Sequence, residues 1–272
     1  MASVRVRFFG RSDVGRRRTT NEDSFVVCEE EGLGVVCDGM GGHESGEIAS
    51  RMAVDLLSEQ AGRHVPRLVD GKRKHSQVRA MAQDLVFEWT QAANAAIHER
   101  GTTPGSDSGD GKARMGTTLA LVLFVHDVVV VGSVGDSRVY RVRDEAILRL
   151  TTDHVVIADA RRAPADPRPP RKRKFVTKAL GTRSVVEPDI LLHEVSPGDV
   201  YLLCSDGLTD LVSDEEILEL VVRAGPNRAL SIRSLINLAN KRGGTDNVTV
   251  VVAEVEGQRD EMDETDILPI PK

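Results

Sequence analysis

The chain has 272 residues, with 36 Lys+Arg against 42 Asp+Glu and a net charge of −6, a length that accommodates one large domain or two small ones. Its 40% apolar and 29% charged residues exclude an intrinsically disordered chain. The acidic balance and an aromatic content of only 3% argue against a general nucleic-acid binder.

In chain order, Val4 to Phe9 partly alternates apolar with charged residues and predicts a half-buried strand. Ser24–Cys28 and Leu33–Cys37 are short β-branched runs joined by Glu29-Glu30-Glu31-Gly32, a hairpin pattern. Glycines 39, 41 and 42 break the chain before a helix whose Ala49, Met52, Ala53, Leu56 and Leu57 share one face. A second helix is predicted from Ser76 to Arg100, with Val78, Met81, Ala82, Leu85, Trp89, Ala92, Ala93 and Ala96 on one stripe. Residues 101–113 are rich in Gly, Ser and Asp and predict a mobile loop.

Four strands follow: Thr117–Val125, Val128–Val134, Ser137–Arg143 and Ala146–Leu150. Residues 161–174 carry seven positive charges, one negative charge and four prolines, which excludes a regular helix or a central strand. Val200–Cys204 predicts another strand. Ser213 and Glu216 form a capping box ahead of one helix, and Ile232, Leu235, Ile236 and Ala239 give the next its buried stripe, stopped by Gly243-Gly244. Thr249–Val255 is the last predicted strand, and residues 257–272, with five acidic and two basic residues, predict a disordered tail. Strands and helices that come in runs indicate an α+β layered fold in a single domain spanning 1–256.

The longest apolar stretch, Leu119 to Val134, is interrupted by His126 and Asp127 and is too short to span a bilayer, and MASVRVRFFG lacks the core of a signal peptide. Cys28, Cys37 and Cys204 are scattered, with no CxxC pair, which fits small-hydrophobe packing in a reducing compartment. These features predict a soluble cytoplasmic protein with no membrane contact.

The pattern that carries chemistry is acidic. Asn21-Glu22-Asp23, Asp38-Gly39, Gly135-Asp136, Ser205-Asp206-Gly207 and Thr245-Asp246-Asn247 each flank a predicted strand. Each alone is ordinary turn chemistry. Together, carboxylates delivered to one cleft repel one another unless cations neutralise them. Acids without Cys pairs or His ligands favour Mg²⁺ or Mn²⁺ over Zn²⁺. Two such ions would acidify a shared water and clamp an in-line phosphoryl displacement. Sequence order leaves open whether the clusters meet in space.

Other motifs fail on inspection. Gly41 to Gly46 has the Walker spacing with Glu47 in place of Lys, and Glu44 stands where GxGxxG needs its last glycine. The stretch 106–111 lacks the acids of a calcium loop, with Ser106, Ser108 and Thr117 in their places. His43 and His154 are candidate proton carriers, with surface or packing roles as the alternative.

In RTTNEDSF, VVCDGMGGHESGEIAS, MGTTLALVLF, VGSVGDSRVYRVRDE, LTTDH, ALGT, GDVYLLCSDGLTDLVSDEEI and GGTDNVTVVVAEV the chain resembles the bacterial form of the protein phosphatase 2C family, metal-dependent Ser/Thr protein phosphatases. These stretches occur in the family's order across most of residues 8–255. The resemblance implies a sandwich of two antiparallel sheets flanked by helices on both faces. It implies that Asp38 bridges two Mn²⁺ or Mg²⁺ ions with the Gly39 carbonyl beside it. Asp206 and Asp246 would hold the first ion, and Glu22 the second, largely through water. Arg18 would grip the substrate phosphate, with Arg16 and Arg17 as adjacent alternatives, and Asp136 would hold a third, weaker ion. Asp23, Asp210 and Asn247 fall at supporting positions.

The implied activity is hydrolysis of phosphoserine and phosphothreonine on proteins by a metal-activated hydroxide, without a phosphoenzyme. The implied partners are Ser/Thr kinases or their substrates, met by a monomer. Two departures stand out. Met40 occupies the place of a histidine proposed as general acid in eukaryotic members, so a water on the third ion, or His43, would supply that proton. The flap at about 155–175 is short and basic where bacterial relatives carry a longer one. Its basic residues allow three readings: a solvated loop, a docking surface for acidic phosphoproteins, or a contact with the acidic tail. A catalytically silent phosphoprotein binder is the rival from another class, disfavoured because Asp38, Asp206 and Asp246 are all present.

Overall fold

The computed structural model describes residues 4–41, 45–102, 115–159 and 172–256. Its five-stranded sheet runs, in spatial order, β1 (Val6–Asp13), β13 (Val248–Val255), β12 (Val200–Cys204), β7 (Arg138–Arg143) and β8 (Ala146–Arg149). The second sheet runs β11 (Asp189–Glu194), β6 (Val128–Val134), β5 (Leu119–Val125), β3 (Leu33–Gly41) and β2 (Asp23–Cys28), with β4 (Met115–Thr117) pairing the far end of β3. Every strand pair among the described residues is antiparallel. Helices α1 (Ser45–Leu68) and α2 (His75–Thr102) cover the second sheet; α3 (Asp206–Thr209), α4 (Asp214–Arg223) and α5 (Arg228–Lys241) lie with the first.

Period-two alternation explains why four layers form. Leu119, Leu121, Leu123 and Val125 of β5 pack with α1 and α2, whereas Ala120, Val122 and Phe124 point between the sheets. Across that interface, Tyr201 and Leu203 of β12 and Val251, Ala253 and Val255 of β13 meet them, while Val200, Leu202, Val250 and Val252 turn to α4 and α5. The expected α+β sandwich with helices on both faces is the architecture found.

Local chemistry sets several element ends. Ser213 and Glu216 form the reciprocal capping box at the start of α4. Gly243 and Gly244, at φ 129° and 50°, end α5 in backbone that other residues avoid. Strands β2, β6 and β12 match the sequence expectation, whereas β3 does not stop at Cys37 but continues through Gly39 to Gly41, where β4 pairs with it.

Some expectations need correction. The first strand begins at Val6 and runs on to Asp13. On α2, Met81 and Ala92 face solvent, and Val86 and Ile97 take the buried places. The alanine-rich stretch left its apolar stripe poorly defined. Lys172–Lys174, the end of the basic segment, lie in β10 (Lys172–Val176), which pairs with β9 (Val155–Asp159) as a two-stranded ribbon. The remainder of the basic segment, His43, most of the loop 101–113 and the acidic tail lie outside the described residues.

Leu121 is fully buried between β5 and the helices. Leu121→Ala should therefore lower unfolding stability by about 2–5 kcal/mol. Ser213→Ala, which removes only the α4 cap, should cost about 1 kcal/mol. Denaturant titration with unchanged slopes checks both, and equal losses from the two variants would contradict this picture of the core.

Candidate metal centre

One end of the sandwich collects the acidic residues because antiparallel pairing puts alternate strand termini side by side. Asp23, opening β2, lies directly opposite Asp38, near the end of β3. In the other sheet, Cys204 at the end of β12 is paired with Val250 near the start of β13 and with Arg138 at the start of β7. Asp13 at the end of β1 pairs with Val248. The segments leaving this end carry Arg18, Glu22, Asp136, Asp206 and Asp246.

Asp23 joins the two sheets there. Its Oδ2 accepts hydrogen bonds from Ser205 Oγ at 2.8 Å and Thr249 Oγ1 at 2.7 Å, and Ser205 Oγ accepts from the Thr249 amide at 3.0 Å. The other oxygen, Oδ1, is buried without a partner. Burial pushes this carboxyl up to about 7, helped by the charges of Asp206 and Asp246 and opposed by the two hydroxyls. Asp38 is held through its backbone: its amide donates to Thr118 Oγ1, and its carbonyl accepts from Thr117 Oγ1 and the Thr118 amide, each at 2.9 Å. Burial, then the charges of Asp23, Asp206, Asp246 and Asp136, drive the Asp38 carboxyl well above the usual range. The structure thus brings the separated acids within electrostatic reach of one another.

Close backbone approach sets the rest. A Cβ at Gly39 would overlap the Gly46 carbonyl at the start of α1 and stand 2.6 Å from the Glu22 carbonyl, so only glycine lets these segments touch. A Cβ at Gly207 would overlap the Asn247 carbonyl, which is how Asp206 comes to lie beside the Asp246 loop. Asn247 ties that loop to Glu22: its Oδ1 accepts from the Glu22 amide at 2.9 Å, and its Nδ2 donates to the Val14 and Thr20 carbonyls. The Glu22 carbonyl accepts from Ser50 Oγ at 2.6 Å and from the Gly39 amide at 3.1 Å.

Among the described residues two cations enter the cluster. Arg18 Nη2 donates to Asp246 Oδ2 at 2.7 Å, and the charges of Glu22 and Asp38 also act on its guanidinium. Arg16 and Arg17 are anchored instead by their amides to the Gly244 carbonyl. Lys174, on the β9–β10 ribbon, was not anticipated individually. Its Nζ stands 2.7 Å from Asp136 Oδ2, 3.0 Å from Asp206 Oδ2 and 3.2 Å from Asp210 Oδ1. Nothing in a run of seven positive charges singles out the one that turns inward.

Two further sequence candidates resolve. His154 is structural: its Nδ1 accepts from the Gly135 amide at 3.0 Å and its Nε2 lies 3.2 Å from Asp189. Met40 lies on β3 opposite Gly116 of β4 and brings only a thioether. Thr117, Thr118, Ser205 and Thr249 orient the acids although they carry no charge that would mark them in a sequence.

The donor set suits hard divalent cations. It is made of carboxylate and other oxygens, while Cys37 and Cys204 are buried in the helix-facing cores. The buried, unpartnered Asp23 Oδ1 and the repulsion on Asp38 are both relieved by added positive charge. Among the described residues no group of three or more His, Cys, Asp and Glu side chains already stands arranged to hold a metal ion. Asp246 and Asp206 are turned to Arg18 and Lys174 instead.

The family model for protein phosphatase 2C matches residues 13–229. The chain is 37% identical over 254 residues to serine/threonine protein phosphatase PstP of Mycobacterium tuberculosis, covering 92% of this chain and 45% of that protein. It thus spans less than half of that relative's length. It is 33% identical over 253 residues to serine/threonine phosphatase stp of Listeria monocytogenes, covering 90% of this chain and 94% of that protein. Among solved structures, the catalytic domain of serine threonine protein phosphatase PstP in complex with 2 manganese ions matches with a TM-score of 0.72 and 33% identity, over 94% of this chain and all of that one.

Removing one charge from the crowded acids should relieve them. Metal-free Asp38→Asn should melt above metal-free wild type. Mn²⁺ at about 100 times its dissociation constant should raise the wild-type transition by roughly 5–10 °C and leave the variant's unmoved. Calorimetry with and without a chelator reads both, and a wild-type transition indifferent to Mn²⁺ would count against a metal centre here.

Proposed function

The chain belongs to the protein phosphatase 2C family, and from that premise we propose that it hydrolyses phosphoserine and phosphothreonine on proteins, using two Mn²⁺ or Mg²⁺ ions. The observation that carries this reading is the gathering of Asp206 and Asp246, from two other strand ends, around a half-buried Asp38 whose carboxyl is pushed up by desolvation and then by neighbouring charges, theirs among them. The activities named for PstP and stp, and the two manganese ions in the PstP structure, support it.

In this reading Asp38, with the Gly39 carbonyl beside it, would help to hold both ions. Asp206 and Asp246 would hold one of them, and Glu22 would hold the other, largely through water. When bound, the ions supply a water acidified toward neutrality and positive charge for the transferring phosphoryl group. Two divalent ions would offset the charges of Asp38, Asp206, Asp246 and Glu22, and Arg18 would add a positive charge, so this end of the sandwich would accept a phosphate dianion. Arg18, already beside these acids, presents a guanidinium fork that matches two phosphate oxygens. Asn247, Thr117 and Thr118 keep Glu22 and Asp38 from turning away.

Residues 1–256 are proposed as one catalytic domain, a reading supported by pairing of β1 with β13 along their whole lengths. The proposed setting is cytoplasmic signalling as a monomer, with Ser/Thr kinases or their phosphorylated substrates as partners. No helix among the described residues is long and apolar enough to cross a membrane, and Cys28, Cys37 and Cys204 are free thiols.

Release of phosphate from a phosphothreonine peptide, with Mn²⁺ and then with a chelator, tests the activity. Asp206→Asn should lower kcat by at least ~100-fold while the fold survives. Arg18→Ala should raise KM roughly 10- to 100-fold with a smaller effect on kcat. Turnover unaffected by the chelator would defeat the metal mechanism, and an unchanged KM would move the phosphate role to Arg16 or Arg17. Peptide binding without any phosphate release would identify a silent binder instead.

A further inference from the structure

The resemblance to bacterial relatives led to the expectation of a third, weaker divalent ion at Asp136. The structure puts a different cation there. Asp136 is buried to 2% exposure and has Lys174 Nζ 2.7 Å from its Oδ2. The same ammonium is 3.0 Å from Asp206 and 3.2 Å from Asp210, so it sits among three carboxylates.

We propose that Lys174 is a resident cation of the catalytic end, and that its ammonium occupies the place between Asp136 and Asp206 that a third divalent ion would need. This rests on the phosphatase reading above but adds a residue to it. The physical case is competition. An ammonium and a hydrated divalent ion seek the same carboxylate oxygens, and the ammonium is delivered by the chain itself at an effective concentration that free ions must overcome. Its side chain is only 29% exposed, and the Asp136 oxygens are almost out of water, so the pair is little screened. Lys174 thereby fixes the ribbon as well. The described strands β9 and β10 pair only with each other; the Thr177 amide on the His154 carbonyl closes the ribbon's base, and His154 ties that base to the sandwich through Gly135 and Asp189. The Lys174 contacts add an attachment directly beside Asp206.

Lys174 is a positioning residue in this account: it sets how many ions the acids accept and where Asp206 points. Of the three charges on Asp136, Asp206 and Asp210, a lysine offsets one where a divalent ion would offset two.

Equilibrium dialysis of the full chain against Mn²⁺, with metal counted by atomic absorption, tests the proposal without reference to turnover. Wild type should bind two ions, and Lys174→Gln three, the added site being weaker. Lys174→Gln combined with Asp136→Asn should return the count to two. Lys174→Arg, which keeps a cation on the ribbon, should stay at the wild-type count, and circular dichroism should show all variants folded. The proposal stands on the increment of one ion between wild type and Lys174→Gln; no increment, or an increment that survives loss of Asp136, overturns it. The absolute wild-type count tests the phosphatase reading separately, because a wild type that takes up no Mn²⁺ would remove that reading whatever the increment.

Discussion

Like charge held in place by an apolar sandwich is the constraint from which the rest of the molecule follows. Two sheets whose inner faces are Val, Ala, Phe, Leu and Tyr cannot slide a residue without turning that face to water, so their register is fixed. The register in turn fixes which strand ends share an edge. Asp38, Asp206 and Asp246 therefore cannot relax apart, even though burial and mutual repulsion push the Asp38 carboxyl well above its ordinary range. Burial of the core is the larger effect, and it imposes the smaller, unfavourable one. Such an arrangement is stable only where hydrogen-bond donors or cations answer it.

The answers come at two depths. Beneath the acids, Ser205 and Thr249 of one sheet donate to Asp23 of the other, and threonines 117 and 118 hold the Asp38 backbone. These contacts connect neutral hydroxyls to a carboxylate and a main chain, so they fix orientation without neutralising charge. Nearer solvent, Arg18 and Lys174 supply the charge. The glycines at 39 and 207 belong to the same logic, since each removes a side chain where two segments carrying acids must touch.

The sequence made the layers legible because a strand buried on one face by helices and on the other by a sheet reads as a nearly continuous apolar run. Leu119–Val125 and Val248–Val255 are such strands. It missed α3, whose four residues are too few to show a period, and β11, whose burial pattern alternates poorly because β11 is an edge strand. The acids at strand ends were legible as candidates, since Asp-Gly and Asp-Asn at those places are visible in one dimension. That they meet was not, because convergence is a property of pairing between strands far apart in the chain. The hydroxyls around Asp23 and Asp38 carry no signature, and the inward lysine was hidden among six other positive charges.

Arg18 and Lys174 answer different members of the acid cluster, and the difference in how they do so follows from burial. Arg18 and Asp246 have side chains 48% and 36% exposed, so water and salt screen their pairing and the guanidinium can exchange one anion for another at little cost. Asp136, at 2% exposure, has no such alternative: withdrawing Lys174 would leave a carboxylate buried against its neighbours, a loss that another cation or a proton would have to offset. The arginine side is thus the one that can open to a phosphate, while the lysine side stays closed. A cluster that is nearly uniform in sequence, aspartate after aspartate, becomes asymmetric in space through the exposure of the two cations that meet it.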